Sequence, residues 1–238
     1  MRVAWFLYDF TGIMAQPWVD RGYTCYIFDC QHPQGVNKFS DNIYSVGLSI
    51  VPGVTDFSVY ERPDFIFGFP ECTDLAVSGA CRFKDKREID PEFQVKAMSH
   101  VYLVRDLGER IGCPWALENP VSVISTMWRK PNFYFHPWMY SGYLPEDDVH
   151  PTYPDYIAPR DMYNKKTGVW GSSEIKKPPE KWTRRPGDPE EYKETKVPGA
   201  NPDSKQYQKL GGRSLKTKNI RSATPRGFSL AFARENSV

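Results

Sequence analysis

No stretch of the sequence holds 18 consecutive apolar residues, so no membrane-spanning helix is expected. Its five cysteines, Cys25, Cys30, Cys72, Cys81 and Cys113, are an odd and scattered set. That is too sparse for a disulfide scaffold and reads as free thiols in a reducing compartment. The four histidines, His32, His100, His136 and His150, are dispersed as well. Cys25, Cys30 and His32 do give C-x4-C-x-H, but a structural zinc needs a fourth ligand and usually paired short spacings, so no metal site is expected. Neither a phosphate-binding G-x-x-x-x-G-K-[ST] loop nor a G-x-S-x-G elbow occurs, which leaves nucleotide hydrolysis and serine-hydrolase chemistry without support. The apolar opening MRVAWFLYDF runs into Asp9 with no small-residue cleavage site. No secretory leader is expected, and the chain reads as soluble and cytoplasmic.

What is present is globular in composition: 238 residues, 40% hydrophobic, 15% aromatic and 25% charged. That excludes disorder of the whole chain and suits one domain with an appended segment. The net charge of +2 conceals an asymmetry, −6 over residues 1–150 and +8 over residues 151–238. An acidic body with a basic tail suits a polyanion met from one side, or else a solvated basic segment.

Apolar runs at 3–10, 24–29, 43–50, 64–69 and 113–119 are rich in aromatic and β-branched residues and bounded by turn formers. Separated by crossover lengths, they predict a parallel sheet covered on both faces. A helix is expected between the last two, capped by Asp90, with Pro91 in its first turn, an apolar face of Phe93, Ala97, Val101, Val104 and Ile111, and a stop at Gly112. A short helix over 14–20 and a closing one after Thr224 and Pro225 complete the helical pattern. Residues 1–144 and 211–238 are expected to form the core, with 145–210 a Pro- and Lys-rich loop region in which only GVWGS (168–172) reads as a strand.

Two strand ends carry chemistry. In FGFPECTD the apolar run stops at Phe69 and Cys72 follows, where a parallel sheet presents its carboxyl edge and binds ligands. A following helix start would favour its thiolate, whereas Glu71 beside it would oppose it. In ALENPVSV, Glu118 ends the next apolar run, a position where a carboxylate is seldom placed for packing, although pairing with an arginine or capping the turn before Pro120 is the plainer alternative. The order along the chain is a glycine-containing strand–turn, an acidic strand end at Asp29, a strand-end cysteine, and 46 residues later a strand-end glutamate.

With those residues in that order, the chain resembles the cytosine-5 DNA methyltransferases, and more closely the short members of that family found in phage genomes. DFTGIM (9–14) is similar to the family's first cofactor loop, PECT (70–73) to its Pro-Pro-Cys-Gln and ENP (118–120) to its Glu-Asn-Val; TGVWGSSEI and RSATPRGFSLAFA also look like the phage subgroup. The resemblance implies a Rossmann-like α/β S-adenosylmethionine-dependent methyltransferase fold with a reduced, loop-rich basic C-terminal region. It makes Cys72 the nucleophile and Glu118 the carboxyl group that holds the base. Phe10, Thr11, Gly12, Asp29, Ser49 and Pro70 would meet S-adenosylmethionine, Asp29 at the ribose hydroxyls, and Asn119 would meet substrate; Arg129, Lys165 and Lys166 are candidate cationic substrate contacts by position alone. The implied partner is DNA, single- or double-stranded, or a cytosine nucleotide. Trp115, Trp128 and Trp138 are available for stacking, although most tryptophans fill cores.

Four departures stand out. Glu71 replaces the family's second proline, Ser49 stands where an acid usually holds the adenine amino group, no Gln-x-Arg-x-Arg follows ENP, and only about 50 residues separate GVWGS from RSATPRG. Sequence readout needs rigid elements in a groove, so weak target specificity or dependence on a partner is expected. The alternatives are the same covalent chemistry on a free cytosine nucleotide or with another one-carbon donor, and a non-catalytic DNA-binding or decoy protein.

Overall fold

The apolar runs fold into strands whose inward residues leave little surface: in β1 (Arg2–Leu7) every residue from Val3 onward is buried, and in β4 (Phe65–Gly68) all four are. The computed structural model describes residues 2–182 and 214–237. They divide into two units, the first made of Met1–Tyr134, Thr167–Lys177 and Asn236–Val238, the second of Phe135–Lys166 and Pro178–Glu235.

With β2 (Tyr23–Ser40), β3 (Ile43–Gly47), β5 (Trp115–Pro120), β6 (Phe133–Phe135) and β7 (Thr167–Gly171), the strands form one seven-stranded sheet ordered β3-β2-β1-β4-β5-β7-β6. β1 pairs in parallel with β2 and β4, and β4 with β5, whereas β7 lies antiparallel on β5. A mixed sheet of this order with helices is an α/β architecture compatible with a Rossmann-like fold. The helices of this unit are α1 (Gln16–Val19), α2 (Phe83–Ile89), α3 (Phe93–Ile111) and α4 (Ile124–Met127).

The main core forms where Trp5, Leu7, Phe28, Ile66, Leu117 and Trp170 from the sheet meet Met98, Val101, Val104 and Leu107 of α3. The helical residues fall three apart, the spacing of one face. Two glycines set how closely α3 lies. A Cβ at Gly68 would stand 2.4 Å from Val104, and one at Gly108 only 2.3 Å from the Trp115 ring.

Element boundaries differ from expectation for local reasons. The first strand ends at Leu7 rather than residue 10 because Tyr8 turns to φ 62°. The third ends at Gly47, where a Cβ would lie 2.1 Å from the carbonyl oxygen of Pro33. β2 continues past Asp29: its partners on β3 rise from Cys25↔Ile43 to Asp29↔Gly47, then fall from Val36↔Val46 to Ser40↔Ile43. The chain therefore doubles back and pairs with β3 a second time in the opposite direction, through a turn in which Asn42 has φ 57°. α3 opens two residues later than Pro91, with Glu92 at its cap; the Asp90 carboxylate instead accepts from the Glu92 amide (3.1 Å) and pairs with Lys96 (2.7 Å). Gly112 ends it in the left-handed region, as expected.

In the second unit, helices α5 (Leu215–Ser222) and α6 (Arg226–Asn236) supply most of the packing. Phe228 of α6 stacks on Phe135 at 3.8 Å between ring centroids and meets Tyr140 edge-on. Arg226 grips Asp148 with both terminal nitrogens (2.8 and 2.7 Å) and also reaches Asp161 at 3.0 Å. Removing one partner of such a buried ionic cluster typically costs ~3–5 kcal/mol, since the remaining charge stays out of water. The cluster also holds Arg160 and Asp161 in left-handed backbone, φ 56° and 52°. Residues 183–213, which take in 183–210 of the expected loop region and 211–213 of the expected core, lie outside the described residues.

The Gly68 contact generates a direct test. Gly68→Val forces a Cβ and two methyl groups against Val104 and should lower unfolding free energy by about 1–3 kcal/mol, read from the urea midpoint. An unchanged midpoint would contradict the close approach of α3.

Candidate functional site

Parallel pairing brings the ends of β1, β2, β3, β4 and β5 to one edge of the sheet. The chain moves outward from β1 to β2 and β3 on one side, and from β4 to β5 on the other. The switch point between β1 and β4 is where open α/β sheets leave a crevice for ligands. Here the Phe69 amide donates to the Leu7 carbonyl at 2.9 Å, the last backbone bond before the two chains part.

The loop leaving β1 is held by Asp9. Its Oδ1 accepts from the amides of Thr11 and Gly12 (both 2.9 Å) and from the Thr11 hydroxyl (3.1 Å). This is an aspartate turn, and it needs Gly12 at φ 68°. The Gly12 carbonyl then accepts from Ala15 and Gln16 at the start of α1. The returning half of β2 covers the loop: His32 Nε2 lies 3.0 Å from the Asp9 carbonyl, the His32 ring meets Phe10 at 5.4 Å, and Phe39 packs over Gly12. Asp9 is buried, and its Oδ2 has no hydrogen-bond partner. Burial pushes its carboxyl group up from the ordinary range, against the pull of its hydrogen bonds and of His32. Asp29 ends the first half of β2, half-buried, with Oδ1 accepting from the Gln31 amide at 2.8 Å.

Cys72 lies in the loop four residues beyond the end of β4, and Glu118 lies within the neighbouring β5, opposite Val169 and two residues before that strand ends at Pro120. Pro70 is buried, Cys72 half-buried and Glu71 exposed in the loop after β4. Asn119, wholly buried, donates its side-chain amide to the Pro70 carbonyl at 2.9 Å. Further on, the same two loops are joined by Val77 N–H to Val121 O (2.9 Å) and Val123 N–H to Leu75 O (3.0 Å). The structure thus brings together Phe10, Thr11, Gly12, Asp29, Pro70, Cys72, Glu118 and Asn119 along one edge. The helical turn that follows Cys72 does not begin at the cysteine itself. Its carbonyl accepts from Leu75 and Ala76, and the next helical turn, Val77–Arg82, opens five residues on.

Sequence reasoning missed a pair at this edge. The Tyr8 hydroxyl lies 2.9 Å from His100 Nδ1, and the rings meet edge-on at 5.6 Å. Burial raises the Tyr8 phenol far above its usual value and lowers the His100 imidazole, with the Glu71 carboxylate drawing the latter back. Glu71 also faces Cys30, whose thiol is raised by partial burial and by Asp29. Tyr8 was legible only as one more aromatic of an apolar strand, and His100 as one face of a helix.

Ser49 is exposed two residues beyond the end of β3, at this same edge. The other expected residues lie elsewhere. Arg129 sits at the opposite edge of β5 and β7 from Glu118, donating to the Gly171 carbonyl (2.6 Å) and the Asn132 side chain (2.9 Å). Lys165 and Lys166 belong to the second unit, where Lys165 donates to the Arg221 carbonyl at 3.0 Å. Of the tryptophans, Trp115 is core, Trp138 is buried and bonded to Asn164, and Trp128 stacks on Trp115 with Arg105 and Arg129 over its ring. Cys25, Cys30 and His32 diverge: Cys25 is buried against the Ala15 carbonyl, Cys30 is exposed and His32 faces Asp9. Among the described residues no group of three or more potential ligands gathers for a metal ion, and no helix is long and apolar enough to cross a membrane.

No family model and no curated protein matches the chain. The case for a function therefore rests on the edge itself.

Because its folded-state carboxyl value is raised, Asp9 contributes stability that is complete below the unfolded carboxylate value of about 4 and is lost as pH rises toward the folded value. Asp9→Asn keeps an acceptor for the three donors and cannot ionise. Its melting temperature relative to wild type should therefore climb as pH is raised from about 4.5 to 8. A difference that stays constant with pH would contradict the burial argument.

Proposed function

We propose that the chain transfers a methyl group from S-adenosylmethionine to carbon 5 of cytosine in DNA, through a transient bond between Cys72 and carbon 6. The observation that carries this reading is the Asn119–Pro70 bond, which ties the loop of Cys72 to the strand that holds Glu118, 46 residues further on. On this reading the Rossmann-like sheet is an S-adenosylmethionine-dependent methyltransferase core.

The residues at the edge suit such a donor. A loop drawn tight by Asp9 leaves backbone close to a ligand at the end of β1. Asp29 keeps acceptor capacity for a ribose diol, since a carboxylate can accept about four hydrogen bonds. Asp29 and Glu71 give the local field a negative sign that favours a sulfonium cation over an anionic donor. When bound, S-adenosylmethionine supplies an electrophilic methyl group.

Cytosine carbon 5 is a poor nucleophile by itself. Addition of the Cys72 thiolate to carbon 6 turns the ring into an enamine-like species that can attack an electrophilic methyl carbon. The Glu118 carboxyl group, set at the ring's N3 and amino edge, steadies the electron flow and selects cytosine over thymine. In a duplex, the base must first leave the stack. The +8 charge of residues 151–238 would hold phosphates rather than read bases, so DNA affinity should fall steeply with salt.

The test is nucleoside mass analysis after incubation with S-adenosylmethionine and, in parallel, single-stranded DNA, duplex DNA and deoxycytidine monophosphate. Wild type should add one methyl to cytosine in DNA, and Cys72→Ala should lose at least about 100-fold of that activity. Product on the mononucleotide alone would move the substrate from polymer to nucleotide. Equal product from wild type and Cys72→Ala would remove the covalent mechanism.

A further inference from the structure

We propose that Tyr8 and His100 form the proton-accepting pair that removes the hydrogen from carbon 5 after methyl transfer, an assignment that rests on the cytosine reading above. Position is the first argument. Leu7 and Phe69 share the last backbone bond between β1 and β4; Tyr8 is the next residue on one side, and Pro70, Glu71 and Cys72 follow on the other. Tyr8 and the nucleophile loop therefore leave the sheet from bonded neighbours, at the point where the crevice opens, and His100 meets Tyr8 there from α3.

The second argument is backbone strain. Tyr8 adopts φ 62°, a left-handed conformation that costs a bulky residue on the order of 1–2 kcal/mol. An aromatic that merely filled the core could continue the strand. Here the turn carries the phenol off the strand to meet a ring on α3 at 2.9 Å, and such outliers cluster where the surrounding structure holds a functional group in place.

The proton balance closes within the protein. Once carbon 5 bears both a methyl group and a hydrogen, the C5–H electron pair re-forms the C5–C6 double bond. The C6–S bond breaks, and its electrons return to Cys72 as thiolate. The proton passes to the Tyr8 oxygen while the Tyr8 hydroxyl proton moves to His100 Nδ1. The imidazolium so formed faces the Glu71 carboxylate and, half-exposed on α3, returns its proton to water. Neutral imidazole at the start is favoured by the burial that lowers His100, and a protonated phenol by the burial that raises Tyr8. This chain of events also gives Glu71 a use: it opposes the thiolate beside it but stabilises the imidazolium that forms when the thiolate leaves.

Tyr8→Phe keeps the ring and removes the hydroxyl; His100→Gln is the second variant. The full chain is incubated with S-adenosylmethionine and cytosine-containing random-sequence DNA, single-stranded and duplex, tritiated at carbon 5. Acid-quenched protein is scored for covalently attached DNA, and the solvent for released tritium. In both variants tritium release should slow roughly 100-fold while the methylated adduct accumulates, a readout that loosened packing would not produce. Release within twofold of wild type without accumulation overturns the assignment. So does loss of the adduct itself in a variant that melts like wild type, because the pair would then act before the proton step. If wild type neither releases tritium nor forms an adduct with either DNA, the cytosine reading falls and the pair's role falls with it.

Discussion

The backbone hydrogen bond from Phe69 to Leu7 marks the constraint on which the rest of the site depends: two adjacent parallel strands must part at the same level. Beyond that bond the two chains no longer pair with each other; the Asp9 amide still donates to the Phe28 carbonyl of β2 at 3.1 Å, and the remaining polar groups of each loop must find other partners. Asp9 supplies them after β1, binding two amides and a hydroxyl through one oxygen. Asn119 supplies one after β4, reaching the Pro70 carbonyl. Both side chains are buried, so each bond must repay the desolvation of a polar group. The loops that carry the chemistry are thus fixed by polar anchors, and the apolar core lies one layer behind them.

Much of this was legible because parallel strands declare themselves. Runs such as DFIFGF and CPWALEN can be only central strands or buried helix segments, and their shortness and turn-forming flanks decide for strands. Once they are parallel, Asp29, Cys72 and Glu118 must share an edge whatever their distance in sequence. The reasons that other features escaped notice are equally physical. Tyr8 breaks its strand through a left-handed residue, and no non-glycine sequence announces such a turn. The doubled-back half of β2 depends on Asp41 and Asn42 making a tight turn, a weak signal beside the apolar strands around it. His100 is one polar residue on a helix whose partner comes from 92 positions away. Arg129 has the charge and sequence position of a substrate contact, but the antiparallel β7 supplies the Gly171 carbonyl that draws it to the opposite edge.

The second unit follows a different plan. Its order comes from stacked aromatic rings and from Arg226 set between Asp148 and Asp161. Burial and the nearby Arg226 charge depress the His150 imidazole to about 4, and its Nδ1 accepts the amides of Thr152 and Tyr153. Those bonds require a neutral ring, so this unit carries a group whose contribution is lost on acidification, opposite in sign to Asp9, whose contribution is lost as pH rises. Composition marked the region as rich in proline and lysine, yet these buried ionic contacts join residues 65 and 78 positions apart, a separation that composition cannot encode.

The central claim is that one thiol, Cys72, attacks cytosine. A DNA oligonucleotide containing 5-fluorodeoxycytidine tests it most directly, because fluorine at carbon 5 blocks the final elimination and leaves the protein–DNA bond in place. After incubation with S-adenosylmethionine, intact-protein mass should rise by one oligonucleotide and one methyl group, and the attachment should map to Cys72. No mass increase, or attachment at the exposed thiols Cys30 or Cys81, would contradict the account.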